Sequence, residues 1–323
     1  AELARISREL ATLKDDVDTE ESVDDFALAN PDPATVIEFL QRMEFARLIE
    51  RVGKRLVEEE KLDVTELAAM VQEEEIDNSV DDLPYELVQD EKALAAWIEA
   101  AYAAGVVAFD TETTSLNAMQ AELVGFSLST EVGAGCYVPV SHVKAAPAEL
   151  DLDGSGANNA NGEIKQIPLA KALKPLKELL EDPSVLKIAH NAKYDLLVLA
   201  RACEQYLPKL SPLVPAALDD TMLLSYVLVA GRNRHNLDDL ALRHLGHETI
   251  KFSDVAGSGK NQISFAEVGL DAALDYAAED ADITLRLHRA LKPRLAVDHL
   301  TTVYETIERP LVPVIVAMER VGI

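Results

Sequence analysis

Cysteine is nearly missing from this chain: 323 residues carry two, Cys136 and Cys203, far apart and in no metal-ligand spacing. That excludes a disulfide framework and a thiolate metal site, and it fits a reducing, cytoplasmic setting. No apolar run approaches the length needed to span a bilayer, and the start carries no charged-then-apolar leader, so no membrane partner is expected. Basic residues are scarce as well, 30 against 57 acids, and the net charge of −27 taken alone argues against a nucleic-acid partner. The shortage is uneven, however. Residues 1–90 hold 26 acids and 9 bases, an excess of 17 negative charges, whereas the remainder has an excess of 10. The electrostatic objection therefore belongs mostly to the N-terminal stretch.

What is present reads as two regions, as the length and the 48% hydrophobic content allow. Residues 1–35 are polar and acidic, and Asp32-Pro33-Ala34-Thr35 is a helix entry, with proline in the first turn and an acid at the N-terminal end. One helix is expected from there, carrying Val36, Phe39, Leu40, Met43, Phe45, Leu48, Ile49 and Val52. From Glu58 to Asp90 acids crowd again, including Glu73-Glu74-Glu75, which reads as a solvated linker. Lys92 to Ala104 is a helix stopped by Gly105. Strands over 106–113, 122–129 and 135–140 form an antiparallel meander. The Gly-, Asn- and Asp-rich stretch 145–166 reads as a flexible insertion. Its Asp151-Leu152-Asp153-Gly154-Ser155-Gly156 fails as a calcium loop because Gly162 stands where a bidentate Glu is required. A helix over 168–180, a strand over 185–189, a segment His190 to Asp195 leading into a helix through Arg201, a strand and helix over 217–229, and a helix over 237–245 follow. Strand and helix alternating after a meander imply an α/β domain with a mixed sheet. Gly257-Ser258-Gly259-Lys260 is not a phosphate loop, because Asn261 stands where Ser or Thr belongs. Trp97 reads as a core residue.

The chemistry concentrates in acids. Val106-Val107-Ala108-Phe109-Asp110-Thr111-Glu112-Thr113 is an apolar strand ending in two carboxylates that share one face. Such a pair is tolerated where a hard cation sits between them, and Mg²⁺ or Mn²⁺ suits an all-oxygen set. Asp195 follows another strand, in His190-Asn191-Ala192-Lys193-Tyr194-Asp195. The helix over 270–291 contains Tyr276-Ala277-Ala278-Glu279-Asp280, where spacing by four puts Tyr276 and Asp280 on one face and turns Glu279 and Asp282 away. Asp110, Glu112, Asp195 and Asp280 could hold two divalent ions for in-line attack on a phosphodiester, with Tyr276 orienting the water. His190 is read as a packing or substrate-contact residue, since the carboxylates already supply hard ligands.

Phe109-Asp110-Thr111-Glu112-Thr113 with Ser115-Leu116, His190 to Asp195, and Tyr276 to Asp280 resemble the three motifs of the DEDD exonucleases, tyrosine subtype. Asp220-Thr221-Met222-Leu223, Gly257 to Gln262 and Ile307 to Val314 extend the resemblance to the proofreading region of the bacterial DNA polymerase I family, and residues 1–56 resemble, more loosely, the end of its 5′-nuclease domain. The resemblance implies an RNase H-like mixed β-sheet flanked by helices, preceded by an acidic, mainly helical or disordered N-terminal segment. It divides the chain into a 5′-nuclease remnant (1–56), an acidic linker (57–89), a 3′-to-5′ exonuclease domain (90–295) and the start of a polymerase domain (296–323), an excised piece of a longer enzyme linked to polymerase and 5′-nuclease domains.

The implied activity is removal of nucleotides from single-stranded or frayed DNA 3′ ends with two Mg²⁺ or Mn²⁺ ions. Asp110, Glu112 and Asp280 would bind one ion, and Asp110 and Asp195 the second. Leu116 and Phe252 match apolar contacts to the terminal bases, although each alone would read as core. Asn191, Tyr194 and Arg234 match polar contacts to the strand, Arg234 in a loop longer than the family's usual pattern. Two other readings use the same residues: an inactive fold serving as a platform for a polymerase, and an RNA-trimming exonuclease resembling ribonuclease D.

Overall fold

The computed structural model describes residues 2–12, 32–43, 45–58, 85–144, 164–231 and 234–323. Most of the expected linker and the expected insertion at 145–166 lie outside the described residues. The chain divides into two compact units, Ala1–Asp77 and Asn78–Ile323.

In the first unit, α1 (Glu2–Ala11), α2 (Pro33–Arg42) and α3 (Ala46–Glu58) are helical. Asp32 accepts from the Thr35 amide and hydroxyl, the expected N-terminal anchor. The single helix expected from residue 33 to beyond 52 is instead two, broken after Arg42. Ile37 and Leu40 are buried while Phe39 and Phe45 remain exposed. The helical spacing had placed Phe39, Leu40 and Phe45 on one stripe and left Ile37 off it, but the break lets α2 fold back on α3, with Ile37 and Leu40 buried and Phe39 and Phe45 outside the contact.

The second unit opens with β1 (Glu86–Leu87) and α4 (Glu91–Ala104). The Asp90 side chain accepts from the Ala93 amide, and Gly105 ends the helix at φ 67°, a left-handed conformation open to glycine. Then come β2 (Val106–Thr113), β3 (Leu123–Ser129), β4 (Cys136–Pro139), α5 (Leu169–Glu181), β5 (Leu186–Ala189), α6 (Ala192–Tyr206), β6 (Leu218–Asp220), α7 (Thr221–Val229), α8 (Leu237–Leu245), α9 (Phe252–Ala256) and α10 (Leu270–Leu291). After α11 (Arg294–Val297) and α12 (Thr301–Val303), a π-helical turn over Tyr304–Glu308 leads into α13 (Arg309–Arg320). No helix among the described residues is long and apolar enough to cross a membrane.

The six strands lie in the order β1-β4-β3-β2-β5-β6. The meander β2-β3-β4 is antiparallel as expected, and β5 and β6 add in parallel beyond β2. β1, a two-residue strand parallel to β4, has no signature in the sequence. Alternation along β2 sorts the two faces. Val107 and Phe109 join the large core formed with α4, α5 and α6, while Ala108 packs with Ile188 and Leu285 beneath α10. Trp97 lies half-buried against that core, its indole N–H donating to Glu86 at 2.9 Å. Asp110 and Glu112 continue the Ala108 side, so the sheet presents both acids toward α10.

Candidate active site

Strand β2 runs out of regular pairing at its end, where the register with β3 shifts between Glu112 and Thr113. A bulge of this kind re-aims the last side chains of a strand. Opposite Glu112 stands Gly125, where an added Cβ would come within 2.2 Å of the Tyr137 hydroxyl. That close approach lets the buried Tyr137 lie across β3 and donate to or accept from His142 Nε2 at 2.7 Å.

Helix α10 supplies the third acid. One carboxylate oxygen each from Asp110, Glu112 and Asp280 lie within 4.8 Å of one another. Glu112 and Asp280 are buried and Asp110 is partly open to solvent. Burial pushes the Asp110 carboxyl up to about 7. It raises Glu112 and Asp280 well above the carboxylate range, and the neighbouring acids add to that rise. Glu112 Oε1 is buried with no hydrogen-bond partner. Three crowded carboxylates and an orphaned buried oxygen are the donor set that a hard divalent cation satisfies.

Asp195 reaches the site from the other side of the sheet. Thr111, which alternation turns away from Asp110 and Glu112, donates to Asp195 Oδ1 from its amide at 3.1 Å and its hydroxyl at 2.5 Å. Asp195 therefore sits outside the group of three, yet close enough that its charge raises Glu112 and the charge of Asp110 raises it in turn, after burial. The end of β2 is thus bracketed by α6, carrying Asp195, and α10, carrying Asp280. Tyr276 hydrogen-bonds Asp280 one turn on, as the spacing predicts, and burial followed by the charges of Asp280, Glu112 and Asp110 raises its phenol strongly. Tyr276 is thereby held as a neutral hydroxyl.

The remaining expected residues ring this centre. Leu116 is 97% exposed on the loop after β2, so the core reading that its side chain would ordinarily invite does not hold. That loop is fastened from α6: the Tyr194 hydroxyl donates to the Ser115 carbonyl at 2.5 Å, and Arg201 Nη1 donates to the carbonyls of Ala118 and Ala121. Phe252 is partly exposed, stacked on Phe265 at 6.2 Å and edge-on to Tyr276 at 6.2 Å. Asn191 sits at the start of α6 with φ 63° and makes no capping bond from its side chain. Arg234 is exposed on the loop before α8. His190 Nδ1 pairs with Thr221 Oγ1 at 2.8 Å, and burial lowers its imidazole to about 4, which keeps it neutral in a packing role.

Sequence reasoning missed Thr111, Arg201 and Asp220. Asp220 caps two helices at once, accepting from Met222 and Leu223 of α7 and from Asn191 and Ala192 at the start of α6. An acid directly before a helix was the available signal for the first role. The second role depends on β5 and β6 lying side by side.

A family model described as 3′-5′ exonuclease matches residues 85–296. Among curated proteins, DNA polymerase I of Rhizobium leguminosarum is 50% identical over 249 residues, 74% of this chain and 23% of that protein. DNA polymerase I of Pseudomonas aeruginosa is 38% identical over 327 residues, 99% of this chain and 32% of that protein. The chain thus spans about a quarter to a third of the length of these relatives. Among solved structures, M. smegmatis Pol1 with DNA primer-template and dNTP aligns with a TM-score of 0.50 at 19% identity, covering 72% of this chain and 32% of that one. That likeness concerns the fold, a mixed sheet flanked by helices.

Proposed function

Because this chain belongs to the 3′-5′ exonuclease family of DNA polymerase I, we propose that it hydrolyses the last phosphodiester at a DNA 3′ end and serves as the proofreading part of a longer polymerase. The observation that carries this reading is the group formed by Asp110, Glu112 and Asp280 with its unpartnered Glu112 oxygen. Two divalent ions, Mg²⁺ or Mn²⁺, held by these three and Asp195 would supply Lewis acidity and an activated water.

The chain's own groups do the positioning. The Tyr276 hydroxyl, kept protonated by burial and tied to Asp280, aligns the attacking water at the terminal phosphorus. As the water oxygen bonds to phosphorus, the bond to the 3′ oxygen of the preceding nucleotide breaks, and that oxygen takes up a proton. A nucleoside monophosphate leaves. Four acids repel a strand, so affinity has to come partly from the bases. Leu116, on its fastened loop, and Phe252, beside Tyr276, contact the terminal bases, and Asn191, Tyr194 and Arg234 serve the backbone. Stacking of this kind is worth about 1–3 kcal/mol per base and is indifferent to sequence. It requires unpaired bases. The retained Asp110, Glu112, Asp195, Asp280 and Tyr276 favour an active enzyme over an inactive platform.

A labelled oligonucleotide tests this. The chain is expected to shorten single strands from the 3′ end with Mg²⁺ or Mn²⁺, to stop on chelation, and to cut mismatched ends faster than paired ones. No shortening at any metal concentration would end the nuclease reading, and equal rates on blunt paired and single-stranded ends would end the account of selectivity.

A further inference from the structure

Phe252 is the first residue of a five-residue helix that follows an irregular stretch from Gly246, and so short a helix cannot hold itself in place. Its neighbours show what does. Ile250, two residues earlier, donates its amide to Glu279 Oε2 at 2.7 Å, and His247 Nε2 pairs with Glu279 Oε1 at 2.8 Å. Both oxygens of a buried carboxylate are thus committed to one loop. Thr249 adds a bond to Asp238 of α8 at 2.8 Å. Glu279 stands directly before Asp280 and three residues after Tyr276, whose ring meets Phe252. The same turns of α10 that present a carboxylate to the metal group therefore also grip the loop carrying the apolar contact.

We infer that Glu279 is a positioning residue for the terminal base: its two-point clamp on His247 and Ile250 fixes Phe252 relative to Asp280 and Tyr276. This rests on the nuclease reading above. The physical content is preorganisation. A loop already held in its binding conformation loses less entropy when a base stacks on it. Without the clamp, the Ile250 amide loses its buried acceptor, and the loop before Phe252 keeps the Thr249 bond to Asp238 but loses both of its ties to α10.

The test is a kinetic cycle on single-stranded oligonucleotide in the presence of Mg²⁺. Glu279→Ala should raise KM about tenfold, within the range that one stacked base is worth, and change kcat far less. In a Phe252→Ala background the same substitution should cost almost nothing further, because both act on one contact. Glu279→Gln should restore most of the affinity, since the amide oxygen can still accept from Ile250 and the side chain still reaches His247 Nε2. The Mg²⁺ concentration giving half-maximal rate should stay unchanged in all three. Amide exchange over residues 247–256 should quicken in Glu279→Ala; if that variant does not fold, His247→Ala, which cuts one of the two ties, takes its place. Additive costs in the double variant, a Gln variant as impaired as the Ala one, or a shifted Mg²⁺ requirement would overturn the inference by showing that Glu279 acts through stability or through its charge on Asp280. Failure of the underlying reading shows differently: the wild-type chain then leaves the oligonucleotide intact before any variant is compared.

Discussion

At the scale of single residues, the proposed mechanism separates groups that hold charge from groups that align. Asp280 belongs to the first kind, as one of three carboxylates whose oxygens lie within 4.8 Å. Asp280→Ala is therefore expected to cost more than the roughly 10- to 100-fold seen when a residue behind a ligand is removed. Under the same proposal Tyr276 belongs to the second kind. Tyr276→Phe keeps the ring that packs on Phe252 and Phe265 and removes only the hydroxyl, so its loss should be clearly smaller. Turnover of single-stranded DNA at saturating Mn²⁺ measures both. Near-full activity in Asp280→Ala would show that the face of α10 toward β2 is not where the chemistry lies.

At the scale of elements, Asp220 shows how one side chain can set the placement of two helices. Its carboxylate accepts the amides of Met222 and Leu223 at 2.8 and 3.2 Å and those of Ala192 and Asn191 at 2.9 and 3.2 Å. A single N-terminal cap is worth about 1 kcal/mol, with a range of roughly 0.5–2. Asp220→Ala strips two such caps from buried ground, and we expect a loss of about 2–4 kcal/mol in urea unfolding. Because α6 carries Tyr194 and Asp195, activity should fall even at temperatures where the variant remains folded. A cost no larger than one ordinary surface cap would show that α6 is held by its packing alone.

At the scale of the whole C-terminal unit, Asp219 fastens the last thirty or so residues to the sheet edge. Burial alone would raise its carboxyl, but the hydrogen bond from His288 and the charge of Lys292 outweigh burial and hold it well below its ordinary 3.8. Tyr304 donates to it at 3.1 Å and Arg309 lies at 3.3 Å, so α10, the π-helical turn and α13 converge on one side chain. Val312 of α13 joins the main core, and Lys193 of α6 pairs with Glu319 at 2.7 Å. A depressed folded value means that Asp219 adds stability above about pH 4 and that this is lost as pH falls toward its folded value. Asp219→Asn removes that dependence and leaves Lys292 and Arg309 facing a neutral amide; breaking a buried pair in this way typically costs about 3–5 kcal/mol. Thermal unfolding of the variant at pH 7 and of both proteins between pH 3 and 6 checks this. An unchanged midpoint at pH 7, or an equally steep acid loss in the variant, would count against the network.

What the sequence determined by itself is what a short stretch of backbone decides. The Gly105 stop, the shared face of Asp110 and Glu112, and the pairing of Tyr276 with Asp280 follow from strand and helix geometry over four residues or fewer. The three motifs also carried the resemblance to the exonuclease family, because each motif is local. The tertiary structure alone decided how those pieces meet. The break after Arg42 depends on α2 finding α3, and β1 is two residues that pair only because β4 is there to receive them. Adjacent Asp219 and Asp220 look alike in sequence but face opposite ways from β6, one toward Lys292 and Arg309 and the other toward helix amides. Thr111 holding Asp195, Arg201 fastening the Leu116 loop and Glu279 gripping the Phe252 loop join residues 84, 80 to 83 and 29 to 32 apart. Periodicity carries no information over such distances; the partner is fixed only when the sheet order and helix packing bring the two backbones together.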